Sequence, residues 1–396
     1  MKLLVDLTSL DTPSRSRGMG RYVRELAAGL AGLPKGQLGG IELVGLTHLD
    51  LDGSYRTTDD LASFQGSATI ATPSPRDYYH WAYARRFALW RAVRSMGANA
   101  VHLPDPHATP LFMPLTSCRR IVTLHDLIPV RWPERYMGTK DGGPVIGTAI
   151  ERRRYRSADL VIAISNSTRD DAQNLLGVDP NKMVRVYHGI DLAKWKVERG
   201  ARAGAIVEKR GLAGRRFLLY VGGYDWHKNV EGMMSAVAKA RREFPDLVLV
   251  WAGRLSDERQ ALIRDIARQA SLADEALQLV GFVPDDELVA LYGAAIAHVL
   301  VSRYEGFGLT LIEAMASGCP VVASTGGSLA ELAADAAIVT DPDDHDAIAA
   351  GIVRLCRDPD FRAKLIDRGI RRAAEFPLSA HAKTMAETYR AFLERG

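Results

Sequence analysis

The chain reads as a succession of short, mostly apolar runs, at 3–7, 41–46, 121–124, 160–164, 184–187, 217–221, 247–251, 277–282, 295–301 and 321–323, most of them leading into turns bearing Gly, Ser, Asp or His. Within these runs apolar residues follow one another instead of alternating with polar ones, as a strand buried on both faces of a parallel sheet requires. Between them lie segments with helical spacing, at 20–32, 76–96, up to 240, 309–317, 346–356 and 379–394. Repeated strand-helix alternation predicts doubly wound α/β units and excludes a solenoid. The stretch 36–75 offers only the strand at 41–46 and carries no functional reading.

A break falls at 194–215, where the chain turns charged and Gly-bearing, as a linker does. It divides the chain into a first domain over 1–200 and a second over 201–378. A length of 396 residues suits two cores better than one.

The most informative stretch runs from Ser302 to Pro320, between two predicted strands. Gly306 and Gly308 let the backbone turn tightly, and a short helix starts at Leu309 and Thr310 and is stopped by Gly318 and Pro320. Its first N–H groups and the positive end of its dipole make a seat for a phosphate or diphosphate. Glu305 stands at the lip of that seat, and Glu313 lies one helical turn in. A carboxylate beside a phosphate needs another partner, and sugar or ribose hydroxyls supply one. Either acid alone would pass for a loop acid or a helix-stabilising one. Together with Gly306-Phe307-Gly308 and the Ala-Met-Ala-Ser-Gly-Cys-Pro-Val-Val run they make a specific pattern.

That pattern resembles the retaining glycosyltransferases of family 4, whose fold is GT-B, an α/β architecture of two Rossmann-like domains facing a central cleft. The resemblance extends over most of the chain and is strongest over 304–323. It implies an acceptor-binding first domain, a nucleotide-sugar-binding second domain, and a last helix, 379–396, that crosses back to the first. It also implies site residues. Gly18 and Gly20 match the glycine-rich loop after the first strand; as a bare Gly-x-Gly they mark only a tight turn. His125, in Leu124-His125-Asp126-Leu127-Ile128-Pro129, matches the acceptor-domain histidine, whereas His102 and His107 are read as loop residues. Lys228 matches the lysine of the diphosphate clamp, but Gly223 stands where the family has an arginine, and Arg254 is the candidate substitute. The turn at Val283 is expected to approach the nucleobase through its backbone. Glu305 is expected at the sugar hydroxyls near the reacting carbon, Glu313 at the ribose, and Gly306, Phe307, Gly308, Leu309 and Thr310 at the diphosphate. The donor implied is GDP-mannose, favoured by the segment around His125, or a UDP-sugar. The acceptor is a glycan, a lipid-linked saccharide or a small molecule, as in polysaccharide biosynthesis, with no cofactor and no metal. Asp341 to Asp346 offers Asp-x-Asp spacing, yet turn and helix-cap roles account for it.

Composition narrows the picture little. Hydrophobic content of 47% and charged content of 25% are ordinary for a globular enzyme. A net charge of +4 is too mild to point to nucleic acid, and is compatible with phosphate-bearing ligands or a peripheral contact with an anionic membrane. The aromatic and arginine-rich helix at 76–96 is the candidate for such a contact, although packing on the sheet explains it as well. Three scattered cysteines and the lack of any apolar run near the roughly 20 residues of a bilayer span lead to the expectation of a cytoplasmic protein. Two other classes fit the sequence less well. An NAD-dependent oxidoreductase would need a third glycine where Val23 stands and an acid about 20 residues on. A non-catalytic nucleotide-sugar sensor would not need Glu305, Glu313, Lys228 and His125 together.

Overall fold

The computed structural model describes residues 1–11, 18–34, 36–49, 55–58, 89–105, 118–138, 143–198 and 200–395. They form two compact units, Met1–Gly189 with Leu378–Gly396, and Ile190–Pro377. His107 and the 76–88 part of the aromatic helix lie outside the described residues; 89–95 are helical.

In the first unit the described strands are β1 (Lys2–Asp6), β2 (Glu42–Leu49), β3 (Tyr55–Thr58), β4 (Ala100–Leu103), β5 (Arg119–Leu124), β6 (Leu160–Ala163) and β7 (Met183–Arg185). They pair in the order β3-β2-β1-β4-β5-β6-β7, parallel throughout except for antiparallel β3 at the edge. The order reverses between β1 and β4, the place where open α/β sheets bind ligands. Helix α1 (Gly18–Ala31) covers one face, and short α2 (Ile128–Arg131) and α3 (Pro133–Tyr136) lead to α4 (Gly143–Arg156). Ser165 caps the short helix α5 (Asn166–Asp171), its hydroxyl accepting from the Thr168 N–H.

Four buried polar groups stitch this unit together. The Tyr22 hydroxyl on α1 lies 3.2 Å from Thr123 Oγ1 on β5, which is 2.8 Å from His102 Nε2 on β4, whose Nδ1 is 2.7 Å from the Tyr389 hydroxyl. His102, read from the sequence as a loop residue, is corrected. It is a wholly buried strand residue. Tyr389 belongs to the last helix of the chain, Leu378–Glu394, which packs on α1 where Gly29 lets Ala382 approach.

The second unit holds β8 (Phe217–Val221), β9 (Val248–Ala252), β10 (Leu277–Gly281), β11 (Ala297–Leu300), β12 (Val321–Ser324) and β13 (Ile338–Thr340), ordered β10-β9-β8-β11-β12-β13 and all parallel. The helices between them are α6 (Ala201–Lys209), α7 (Val230–Ala240), α8 (Asp257–Gln269), α9 (Asp285–Ala294), α10 (Leu309–Ala316), α11 (Leu329–Ala333), α12 (His345–Arg357) and α13 (Pro359–Ala373); the Leu378–Glu394 helix of the first unit is α14. The stretch expected to be a linker is structured: Trp195 is buried against Tyr292, and α6 follows it.

The first unit carries its buried histidines uncharged. Burial drives His102 down to about 3 and His381 to about 4, and pushes His188 well below the usual imidazole value. An unfolded chain protonates these rings from about pH 6.5 downward, while the folded chain does not. Their contribution is thus complete above pH 6.5 and is lost as pH falls toward about 4. The thermal midpoint should fall over this range, and His102→Gln or His381→Gln should flatten part of the slope. An unchanged slope in both variants would clear these rings as its cause.

Candidate active site

The strand order of the second unit reverses between β8 and β11. Two chain exits meet there. After β8, Gly222 and Gly223 lead to a single 3-10 turn, Trp226–Lys228. The Gly222 carbonyl accepts from Trp251 Nε1 at 3.0 Å, and a Cβ at Gly253 would sit 2.2 Å from the same oxygen, so only glycine allows this approach. Asn229 follows in the left-handed region, at φ 54°, which its short amide tolerates. That amide, wholly buried, donates to the Val301 carbonyl at 3.0 Å and the Pro342 carbonyl at 2.6 Å. Arg303 reinforces the junction: its backbone N–H bonds the His227 carbonyl at 2.7 Å, its guanidinium bonds the Trp226 carbonyl at 3.0 Å, and it lies over the Trp226 ring.

The β11 exit carries Ser302, Glu305 and Gly308. Gly308, at φ 90°, is the N-cap of α10, and no side chain caps this helix, which leaves its first turn suited to an anion. The backbone of Gly326 and Gly327 lies directly beneath. A Cβ on Gly326 would fall 2.2 Å from the Ser302 carbonyl oxygen, and one on Gly327, at φ 64°, 2.3 Å from that of Glu305. Ser328 completes the clamp, its hydroxyl donating to the carbonyls of Glu305 (3.1 Å) and Phe307 (2.7 Å).

Between the two exits, Lys228 Nζ donates to both Glu305 oxygens, at 2.7 and 3.0 Å, and the Ser302 hydroxyl donates to Oε1 at 2.6 Å. Burial works to raise the Glu305 carboxyl, but the Lys228 ammonium, the Ser302 hydroxyl and nearby His227 outweigh it and hold the group below the ordinary carboxylate range. Glu305 is an anion at neutral pH. Behind it, His298 on β11 bonds the Leu219 carbonyl through Nδ1 at 2.9 Å, which leaves Nε2 to accept from the Thr310 hydroxyl at 3.3 Å. Burial lowers this imidazole to about 4, so it stays neutral and fixes the start of α10.

The structure thus brings together Glu305, Lys228, Gly306, Phe307, Gly308, Leu309 and Thr310. Glu313 is wholly buried in α10, Val283 is buried, and Arg254 is exposed over the Phe282 ring at 4.6 Å. The remaining candidates belong to the first unit. His125, just past β5, has Nε2 2.7 Å from the Pro104 carbonyl and stacks with His188, with Tyr22 edge-on. Gly18 and Gly20 lie inside the first turn of α1; the loop expectation is corrected, since the helix begins at Gly18. The sequence reading does not single out Ser302, His298, Asn229, Arg303, Gly326, Gly327 or Ser328 as site residues. Two signals were available: a paired glycine after a buried strand, and a histidine inside an apolar one. The acids at 341–346 have structural partners: Asp341 accepts from the Asp343 N–H, Asp344 caps α12, Asp343 pairs with Arg303 and Asp346 with Lys239.

Two family models match the chain: Glycosyltransferase Family 4 over residues 16–194 and Glycosyl transferases group 1 over residues 205–372. The O-antigen chain mannosyltransferase B of Escherichia coli is 29% identical over 274 residues, covering 68% of this chain and 70% of that protein. The alpha-maltose-1-phosphate synthase of Mycolicibacterium smegmatis is 30% identical over 290 residues, covering 68% of this chain and 72% of that protein. The sucrose-phosphate synthase structure from Thermosynechococcus elongatus superposes with a TM-score of 0.79 at 20% identity, covering 100% of both chains.

Replacing the ammonium tests the electrostatics directly. In Lys228→Met the burial of Glu305 remains while its largest stabilising charge is gone, so its carboxyl should titrate at higher pH. The acidic limb of the pH-rate profile should move upward. An unmoved limb with activity retained would mean that Lys228 does not set the charge of Glu305.

Proposed function

Since the chain belongs to glycosyltransferase family 4, a family of enzymes with the GT-B fold, we propose that it moves a hexose, mannose from GDP-mannose, onto a glycan, lipid-linked or small-molecule acceptor with retention of anomeric configuration. The observation that carries this reading is the ionised Glu305, bound by Lys228 beside the uncapped start of α10. An ammonium has three donors, and two of the Lys228 contacts go to Glu305. One N–H therefore remains for a phosphate oxygen, and the first turn of α10 supplies more donors to the same group.

As the bond from the sugar to the leaving diphosphate breaks, negative charge grows on the phosphate and positive charge on the sugar ring. Lys228 and the helix start are assigned to the first, with Gly306, Phe307, Gly308, Leu309 and Thr310 lining it, and the Glu305 carboxylate to the second. Glu305 also accepts hydrogen bonds from sugar hydroxyls, which orients the ring. Glu313 is assigned to ribose hydroxyls, Val283 to the base through its backbone, and Gly18, Gly20 and His125 to the sugar and acceptor. With Glu313 so engaged, the residues assigned to this site include no second carboxylate for the nucleophile of a retaining glycosidase. We therefore assign front-face transfer, the departing phosphate oxygen taking the acceptor proton. The charge on the diphosphate is assigned to Lys228 and the helix, so the reading calls on no metal ion. Mannose rests on the mannosyltransferase relative and on the segment around His125.

A thermal-shift panel with GDP, UDP, ADP, dTDP and NAD tests donor choice. A nucleotide at about 100 times its dissociation constant should add roughly 2.7 kcal/mol, a shift of a few degrees in a chain of this size. GDP alone should stabilise the protein; UDP alone would replace the mannose assignment with a UDP-sugar, and NAD alone would overturn the transferase chemistry proposed here. Glu305→Gln should keep the nucleotide shift yet lose transfer, and transfer at the wild-type rate would remove Glu305 from the reaction.

Gly223 offers a second test. A Cβ there would meet nothing within 4 Å, so a side chain can start at this position without a clash at its first carbon. Gly223→Arg should restore the clamp cation that the family carries and tighten donor binding roughly tenfold. An unchanged or weaker affinity, with the fold intact, would show that the diphosphate does not pass this point.

A further inference from the structure

Among the described helices of the first unit, α4 is distinguished by an outer face that carries exposed aliphatic side chains. At 3.6 residues per turn, Val145, Ile146, Ala149, Arg152, Arg153 and Arg156 fall on one side of it, and all six are exposed. Val145 is 83% exposed and Ile146 55%, unusual for aliphatic side chains of that size. The opposite side holds buried Gly147 and Tyr155, with Glu151 and Arg154 paired between them. Gly147 sets this orientation: a Cβ there would lie 2.6 Å from the sulfur of Met137, so the helix rests on Met137 and turns its aliphatic and arginine side outward. The outer face carries no carboxylate, the only acid of α4 being Glu151 on the inner side.

We propose that this face is a docking surface for an anionic lipid bilayer, on which α4 lies parallel to the membrane plane. Val145, Ile146 and Ala149 enter the boundary between headgroups and acyl chains. Arg152, Arg153 and Arg156 reach the lipid phosphates, their stems following the apolar surface. Charge selects the occupant. Two copies of this chain meeting through the face would bring arginines against arginines, whereas an anionic bilayer supplies the opposite charge and an apolar layer at the depth the aliphatic residues need. Among the described residues no helix is long and apolar enough to cross a membrane, so the contact is peripheral. This surface is distinct from the residues assigned to donor and acceptor, and the proposal does not depend on the transferase reading.

Flotation of the full chain with vesicles tests it. The protein should bind phosphatidylglycerol–phosphatidylcholine vesicles, bind pure phosphatidylcholine at least roughly tenfold more weakly, and release as salt is added. The double variant Val145→Ser, Ile146→Ser and the triple variant Arg152→Gln, Arg153→Gln, Arg156→Gln should each lose roughly tenfold or more in affinity for the anionic vesicles. These side chains are exposed, and the Arg152 bond to the Leu175 carbonyl, at 3.4 Å, is a long one at the surface, so both variants should stay close to the wild-type melting temperature and keep the nucleotide shift, which separates loss of this surface from misfolding or damage at the donor site. The proposal is overturned if the wild type ignores anionic vesicles, if it binds neutral ones equally well, or if both variants float like the wild type. It is also overturned if the wild type dimerises in sedimentation and the variants do not, since the face then belongs to a second copy.

Discussion

Much of the second unit is arranged around one requirement, that a nearly buried carboxylate remain charged. Left alone in its place, Glu305 would take up a proton, because burial disfavours the anion. Its stabilising partners come from separate parts of the chain: Ser302 from the same loop, Lys228 from the exit of another strand. Bringing them within hydrogen-bond reach demands that two loops approach closer than side chains allow. Gly326 and Gly327 permit that approach from below, and Asn229 and Arg303 tie the Lys228 turn to the β11 exit. A buried ion pair is a poor way to gain stability, since the charges lose most of what they recover. So many devices converging on one pair fit a charge kept for chemistry better than one kept for folding.

The first unit solves an opposite problem. The buried groups that tie its elements together are neutral, and they satisfy one another in a row from Tyr22 through Thr123 and His102 to Tyr389. A row of this kind is specific because each member leaves a costly unsatisfied atom if a neighbour shifts. It therefore fixes the position of α14, whose Tyr389 supplies the last hydroxyl. The same helix places His381 against the Tyr187 carbonyl, close to the ring of His188, which stacks with His125. The last helix thus supports His125, the candidate site histidine of this unit, from a position far away in the chain.

Legibility followed the range of the interactions. Strands β5, β8 and β11 were readable because a doubly buried strand is written in consecutive apolar residues, and the Gly306 to Thr310 turn because backbone conformation is a local constraint. The Lys228 and Glu305 segments could be picked out one by one, but their pairing could not, being set by the strand order. Ser328 bonds the Glu305 and Phe307 carbonyls from another loop, and Tyr389 bonds His102 from 287 residues away. No local pattern announces either contact. The loop reading of His102 fails for that reason: the partners that bury the imidazole lie in other elements. Helix α6 was misread as a linker because its exposed face is charged and, of its residues, only Ala203 is buried.

The same reasoning bears on the absent arginine at Gly223. Arg303 is close by in sequence, yet its guanidinium is occupied by the Trp226 carbonyl and ring, and Arg254 is spread over Phe282. On the proposed reading the diphosphate then meets one ammonium and one helix start, with fewer cations than the family clamp supplies. Lys228 has to serve two anions, Glu305 before the donor arrives and both of them afterward. That sharing couples the two roles, for whatever phosphate charge draws from the ammonium is withdrawn from the carboxylate, whose remaining support is the Ser302 hydroxyl and His227. A carboxylate less tightly held is a better acceptor for sugar hydroxyls. Donor binding and the readiness of Glu305 are in this way parts of one electrostatic balance, carried by a single lysine.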